Sequence, residues 1–470
     1  GDISDSGNLA ITGTATFITA ANGSNIILDQ SGNAFSNAVT MKADTGGNEA
    51  FGNITFVDSG AVKIETSAGT NADGDLLIDG STDGAVGGNL TITATTGNIT
   101  QGAAVTVTGT SFFTTSATDA DITLSLANAL TGAVTLSTAG SGGDAALDNG
   151  TTALIIAEST VRGDLTLTSG NASGIVDSGT ITVGGDLFAI TDANNGDITL
   201  DQLAVTGAID LATNDSANDN TGHATVVNAT AVKLAASSVD GNLSATATTG
   251  NITQTGALTV TGTTTLLTPA DKATIDLSTT NNAFTGALTI TTNDDTDYEA
   301  HVTIDGGETA ALIIAESTID GDLTLINGNA SGITDSGTVT IGGNLSATTD
   351  ANNGDITLNQ LAVASGKTIT LTTNDSANDN TGHATVVNAS AVKLAASSVD
   401  GNLSATATTG NITQTGALTI TGTSTLVTSA DDADITLTET SNAFTGALLV
   451  TTNDNTDGAD GVYTADVSID

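Results

Sequence analysis

The residues that could do chemistry are few. The only arginine stands in Arg162-Gly163-Asp164, an integrin-type tripeptide, yet Gly163-Asp164 is also the opening of a repeat whose later copy reads Asp320-Gly321-Asp322. A presented ligand belongs on a loop tip, and this one is expected to start a strand. Inserts rich in Asp and Asn occupy 214–220, 293–297, 374–380 and 453–460. Clustered carboxylate and amide oxygens are what Ca²⁺ takes as ligands, and Asn453, Asn455 and Asp457, followed by Gly458, have the spacing that opens an EF-hand loop. These three are the calcium candidates. Position 12 of such a loop would be Thr464, where a bidentate Glu is needed.

Catalytic inventory is thinner still. His223 and His383 occupy the same repeat position, His301 stands alone, and there is no cysteine. A polysaccharide lyase gathers basic residues around a developing negative charge, whereas this chain scatters seven over its length. A glycoside hydrolase needs a unique pair of carboxylates, and here the acids recur with the repeat. An active site breaks symmetry; this sequence preserves it. No catalytic residue and no cofactor other than calcium is expected. Asn-x-Ser/Thr sequons at Asn22, Asn89, Asn171, Asn242, Asn251 and Asn411 follow from composition, and several belong to the strand signature G-N-[LI]-[TS].

The elements that hold these residues are announced by composition. Two tyrosines, no tryptophan and a single proline, Pro269, leave little for an ordinary globular core. Thr, Ile and Val favour strands, and Gly, Asn and Asp favour turns. Net charge is -45, carried by 45 Asp against 7 Glu, so the acid is expected in corners between strands. Seven basic residues exclude a nucleic-acid groove or an anionic lipid surface. Alternating apolar runs argue against disorder, and no run of 18 apolar residues marks a membrane span.

Internal repetition organises the chain. ALIIAEST at 153–160 returns at 311–318, an offset of 158; after a two-residue insertion near Lys367 the offset is 160, and TNDSANDNTGHATVVNA at 213–229 returns at 373–389. TATTGNITQ occurs three times, from Thr93, Thr246 and Thr406. The expected organisation is 1–152 as diverged repeats, 153–310 as one long copy and 311–470 as a second, all in one solenoid cut as a window from a longer array. Inside the long copy lies a unit of 21 or 22 residues. GDLTLTSGNASGIVDSGTITVG from Gly163 and GDLFAITDANNGDITLDQLAVT from Gly185 set Val176, Ile181 and Val183 opposite Ile198, Leu203 and Val205 at a constant offset of 22. So short a unit cannot bury a hydrophobic face alone, but stacked copies can. Alternation as in Leu165-Thr166-Leu167 points every second side chain inward, with Thr and small residues outward. At about 4.8 Å per coil the chain would make on the order of twenty coils.

The G-[ND]-[LI]-T-[LIV] opening, the following G-[ND]-I-T, and strands of the type GALTVTGTTTL at 256–266 resemble the repeats of filamentous haemagglutinin-like adhesins and related giant β-strand-repeat proteins of bacteria. The resemblance spans essentially the whole chain. It implies an all-β, right-handed parallel β-helix with polar loop inserts, export to the cell surface, and a part in adhesion, aggregation or biofilm. The expected function is the structural shaft of an extracellular fibre, associating end to end with itself or with other cell surfaces. The alternative is a ligand-binding face for a glycan, a receptor or ice. Ice binding needs Thr-x-Thr aligned in every coil, and along the sequence Thr-x-Thr drifts. If calcium holds the inserts, chelator lowers the melting temperature and Asp457→Ala reproduces part of the loss; a transition indifferent to chelator at low salt leaves the inserts as solvated turns.

Overall fold

The computed structural model describes residues 1–21, 23–43, 52–65, 75–78, 85–192, 196–213, 221–279, 281–293, 297–350, 354–373, 381–453 and 465–470. They contain strands and turns and no helix, and every strand pairing among them is parallel between one coil and the next. The fold is a parallel β-solenoid of about 18 turns with about 22 residues per coil. The chain divides into two compact units, Gly1–Thr230 with Ser238–Gly241, and Ala231–Ser237 with Asn242–Asp470.

Within each unit two parallel sheets turn their apolar faces inward. In the first unit Leu165, Leu187 and Ile209 stack in register on one sheet. In the second, Leu323, Leu345 and Ile369 do the same. The leucines of seven Gly-Asx-Leu openings are buried, Leu90, Leu165 and Leu187 in the first unit and Leu243, Leu323, Leu345 and Leu403 in the second, while Leu9 is half-buried. They do not form one column. Leu90 enters the other sheet, between Ile54 and Ser111, as do Leu243 against Thr264 and Leu403 against Ser424. The opening therefore marks entry into either sheet.

The constant offset of 22 needs correcting. Ile175, not Val176, lies opposite Ile198, an offset of 23, while Ile181 and Val183 face Leu203 and Val205 at 22. Ile175 is fully buried and Val176 points outward. The extra residue lies in the earlier coil, where six positions separate Ile175 from Ile181 against five from Ile198 to Leu203; on its other side the strand Ile198–Val205 shifts register against the next coil at Asp201-Gln202. The Gln202 N–H set free there donates to Asp177 Oδ2, 2.8 Å away. In the second unit Asp335 receives the Asn359 and Gln360 N–H groups in the same way.

Threonine is not confined to the outside. Thr115, Thr138, Thr191, Thr268, Thr349 and Thr428 are buried in the last half of a strand, and each hydroxyl donates to the carbonyl five residues on. This latch closes a corner. Thr292 closes a longer one onto the Ala300 carbonyl and Thr373 a longer one still onto that of Gly382. Inserts of different length thus leave from corners of a single type, and the strand that follows returns to register.

At other corners buried asparagines replace missing peptide groups. Asn149 Oδ1 accepts the Leu130 N–H while its Nδ2 donates to the Leu130 and Ala153 carbonyls. Asn388 does the same with the Val363 N–H and the Ala391 carbonyl. Three pairs, Gln101 with Asn128, Gln254 with Asn282 and Gln414 with Asn442, exchange two amide bonds each.

Not every buried hydroxyl is paired. Ser111, Thr264 and Ser424, equivalent positions in successive repeats, sit in leucine-lined columns without a hydrogen-bond partner. One strand, Thr264–Asp271, therefore carries an idle threonine and a latching one. Thr268→Val should lower the unfolding free energy by about 1–3 kcal/mol, because the Ala273 carbonyl loses its donor, whereas Thr264→Val should raise it by about 1 kcal/mol. Urea unfolding of the two variants checks this, and shifts of one sign for both would remove the distinction.

Candidate functional surface

With most apolar side chains inside, a partner meets the outward faces of the sheets and the corner edge of each coil. In the first unit that edge is a column of acid built by the repeat opening itself. The Asp164 N–H donates to Asp144 Oδ1, the Asp186 N–H to Asp164 Oδ1 and the Ala208 N–H to Asp186 Oδ1, at 2.6 to 2.8 Å. Asn98 and Asp121 extend the column on the other side. Each carboxylate folds over the glycine of the following coil: a Cβ on Gly163 would lie 2.0 Å from Asp144 Oδ1, and one on Gly185 2.1 Å from Asp164 Oδ1. Glycine is required here by close approach, and this explains why Gly precedes Asx in the signature.

Stacked aspartates one coil apart, about 4.8 Å, repel by about 1 kcal/mol per neighbouring pair in water. A hydrogen bond from a backbone N–H to a carboxylate is worth about 1.5–3 kcal/mol. The bond prevails over the repulsion between neighbours. In the second unit the equivalent ladder runs through His301, Asp322 and Asn344, with His301 Nδ1 accepting the Asp322 N–H. His383 Nδ1 accepts the Asn402 N–H on another ladder, and His223 donates its N–H to Asp197 Oδ1. All three histidines thus stand in ladders between coils.

The candidate tripeptide lies within the stack. Gly163 is buried, the Arg162 N–H donates to Thr138 Oγ1, and one oxygen of Asp164 is engaged. The sequon asparagines Asn89, Asn242, Asn251 and Asn411 are ladder members whose Oδ1 accepts an N–H of the next coil. Asn171 caps its own turn through the Ser173 N–H, and Asn22 lies outside the described residues. Of the calcium candidates, Asn453 ends the strand Leu448–Asn453 and donates its Nδ2 to the Ser429 carbonyl. Asn455 and Asp457 lie outside the described residues. Among the described residues no group of three or more His, Cys, Asp or Glu is placed to hold a metal ion, and no helix is long and apolar enough to cross a membrane.

Outward threonines align better than their spacing in the sequence suggests. Thr93, Thr114, Ser137, Thr160 and Thr182 form one register column, ending at Ala204. The companion column is broken, since Phe112 stands between Thr91 and Thr135. A two-column hydroxyl face does not form there. Variable corners hide the alignment along the chain, which is why Thr-x-Thr drifts in the sequence.

Sequence reasoning missed the carboxylates that carry the largest electrostatic cost. Asp58, Asp177, Asp210, Asp305 and Asp335 all have pKa values pushed up, in each case chiefly by desolvation. The nearby charges of Asp350 and Glu308 raise that of Asp305 further. A recurrent Asp before Ser-Gly or Gly-Gly was the available signal, visible at Asp177, Asp335 and Asp305.

Six segments, 1–42, 51–137, 142–215, 221–291, 299–372 and 381–451, match a family model described as repeats of unknown function (DUF5649). Segment 221–291 recurs at 381–451 and 142–215 at 299–372, so the long repeat contains two repeats of the family. No curated protein and no solved structure matches the chain.

The five aspartates fix a pH dependence. A carboxyl whose folded pKa lies above its unfolded value binds protons more tightly when folded, so its stabilising contribution is complete below about pH 3.8 and is lost as pH rises through the raised value. Relief of self-repulsion acts in the same direction. The melting temperature should therefore climb by several degrees as pH is lowered from about 7 to about 4.5. Calorimetric scans showing a steady fall over that interval would contradict it.

Proposed function

We propose, for a chain that belongs to the family of repeats of unknown function DUF5649, that its task is mechanical: it is the shaft of an extracellular surface fibre or adhesin and not an enzyme. The observation that carries this is the continuity of the ladder from coil to coil within each unit. Backbone pairing, Asx columns and threonine latches repeat with the sequence, and among the described residues no place on them gathers a nucleophile, a base and a donor pair. Such a stack resists proteases because its backbone groups are paired at the corners as well as in the strands.

The acidic corner edge supports an extracellular setting, where a highly charged surface keeps neighbouring shafts apart and divalent cations bridge them. Coils of one type stack in parallel on coils of the same type, which makes self-association end to end the favoured partner. Adhesion then depends on reach and on contacts distributed along the edge.

A shaft is defined by length and stiffness, not by any one residue. In cells displaying the full protein, deletion of residues 153–310 should reduce attachment, and an unrelated stiff repeat of equal length should restore it. Failure of every such spacer would point to a ligand site within the deleted stretch, and turnover of a polysaccharide by the purified chain would overturn the mechanical role altogether.

A further inference from the structure

Two of the seven basic residues converge on one described segment of the second unit, residues 297–301, and neither belongs to the repeat. Lys272 stands where the next long copy has Asp432, and Lys367 lies at the two-residue insertion. Lys272 Nζ is 2.5 Å from Asp297 Oδ2 and 3.0 Å from Glu299 Oε2. Lys367 Nζ lies 4.4 Å from the centroid of the Tyr298 ring. The ring in turn rests on Gly342, where a Cβ would come within 2.7 Å of Tyr298 Cδ1. Gly342 ends the strand two coils further on, so the ring reaches along the corner edge and covers it.

The segment has a fixed root and an outward half held by charge. Ala300 is fully buried, and its carbonyl accepts both the Thr292 hydroxyl and the Gly321 N–H. Tyr298, in contrast, is 47% exposed and has a left-handed backbone, φ +59°. A non-glycine residue adopts that conformation at a cost. Beside the His301 N–H bond to the Glu299 carbonyl, an exposed ion pair on one side and an exposed cation–π contact on the other oppose the strain. Both are weak singly and both are screened by salt.

We propose that residues 297–301 form a charge-fastened strap which screening ions release, baring the Tyr298 ring and the Gly342 backbone beneath it. Fastened, the strap holds one side of an aromatic ring, one of two tyrosines in the chain, against Gly342 and leaves the rest exposed. Released, it offers that ring and the Lys367 ammonium together on an otherwise acidic edge. The device works in a shaft of any function, so its failure leaves the mechanical role standing.

The chain supplies its own reporter. With no tryptophan present, Tyr463→Phe leaves Tyr298 as the sole source of tyrosine emission. Quenching by neutral acrylamide should rise about twofold between about 0.05 M and 0.5 M sodium chloride, as the screening length falls from about 14 Å to about 4 Å. Lys272→Met combined with Lys367→Met should give the high quenching at low salt, with an unchanged far-ultraviolet spectrum. Quenching that ignores both salt and the double substitution overturns the strap and leaves Tyr298 held by its backbone alone. Because the salt titration needs no lysine substitution, it remains decisive even if the double variant folds poorly.

Discussion

The constraint on which the structure depends is that every coil must offer the next one a complete row of backbone donors and acceptors. In a strand the ladder does this unaided. At a corner the chain turns away from its neighbour, and a buried N–H or carbonyl without a partner costs more than a typical hydrogen bond contributes. The side chains found at the corners are those that stand in for a peptide. Asn388 accepts and donates across the Val363 peptide, Asp164 accepts the Asp186 N–H, and Thr349 donates to the Gly354 carbonyl. Composition follows from this. Asn, Asp and Thr abound because each coil needs several of them, and Gly abounds because the stand-in folds over the next coil's backbone.

Charge is a by-product of the same requirement. A carboxylate is a better acceptor for a corner N–H than an amide, and the energy of that bond exceeds the repulsion between neighbours one coil apart. Aspartate can therefore accumulate in columns such as Asp121, Asp144, Asp164 and Asp186 without unwinding the stack. Where the acid is drawn inward the balance tips: Asp305 and Asp335 receive backbone N–H groups but lose hydration, and their pKa values rise. The net charge of -45 thus has a structural origin before it has any functional one.

Much of this was legible in the sequence, and the rest was hidden for definite reasons. The solenoid, its coil length and the inward leucines follow from the Gly-Asx-Leu openings, because burial of Leu165 and Leu187 is dictated by alternation. Register was less accessible: Val176 and Ile175 are both apolar neighbours, and which of them faces Ile198 depends on the extra residue between Ile175 and Ile181, visible only once the coils are stacked. Threonine carries no label for its side. Thr264 is idle in the core, Thr268 latches a corner and Thr303 points outward, all with ordinary sequence surroundings. The glutamine ending TATTGNITQ did recur visibly, but its partner lies 27 or 28 residues away and is identifiable only once coils are stacked.

Repetition also sets where specificity can arise. A residue that recurs in every coil answers to the ladder, and replacing it disturbs stacking before it disturbs any partner. Specific chemistry must come from positions released from that duty, which are the segments leaving the threonine-latched corners and the few sites where successive copies disagree. The latch permits this freedom: Thr292 and Thr373 close longer corners onto Ala300 and Gly382 with the same hydroxyl-to-carbonyl bond that closes the short ones. Lys272, Tyr298 and Lys367 meet at such a corner, and none of them contributes its side chain to an inter-coil ladder bond. The stack supplies rigidity through what its coils share, while its surface can acquire new contacts only through what they do not.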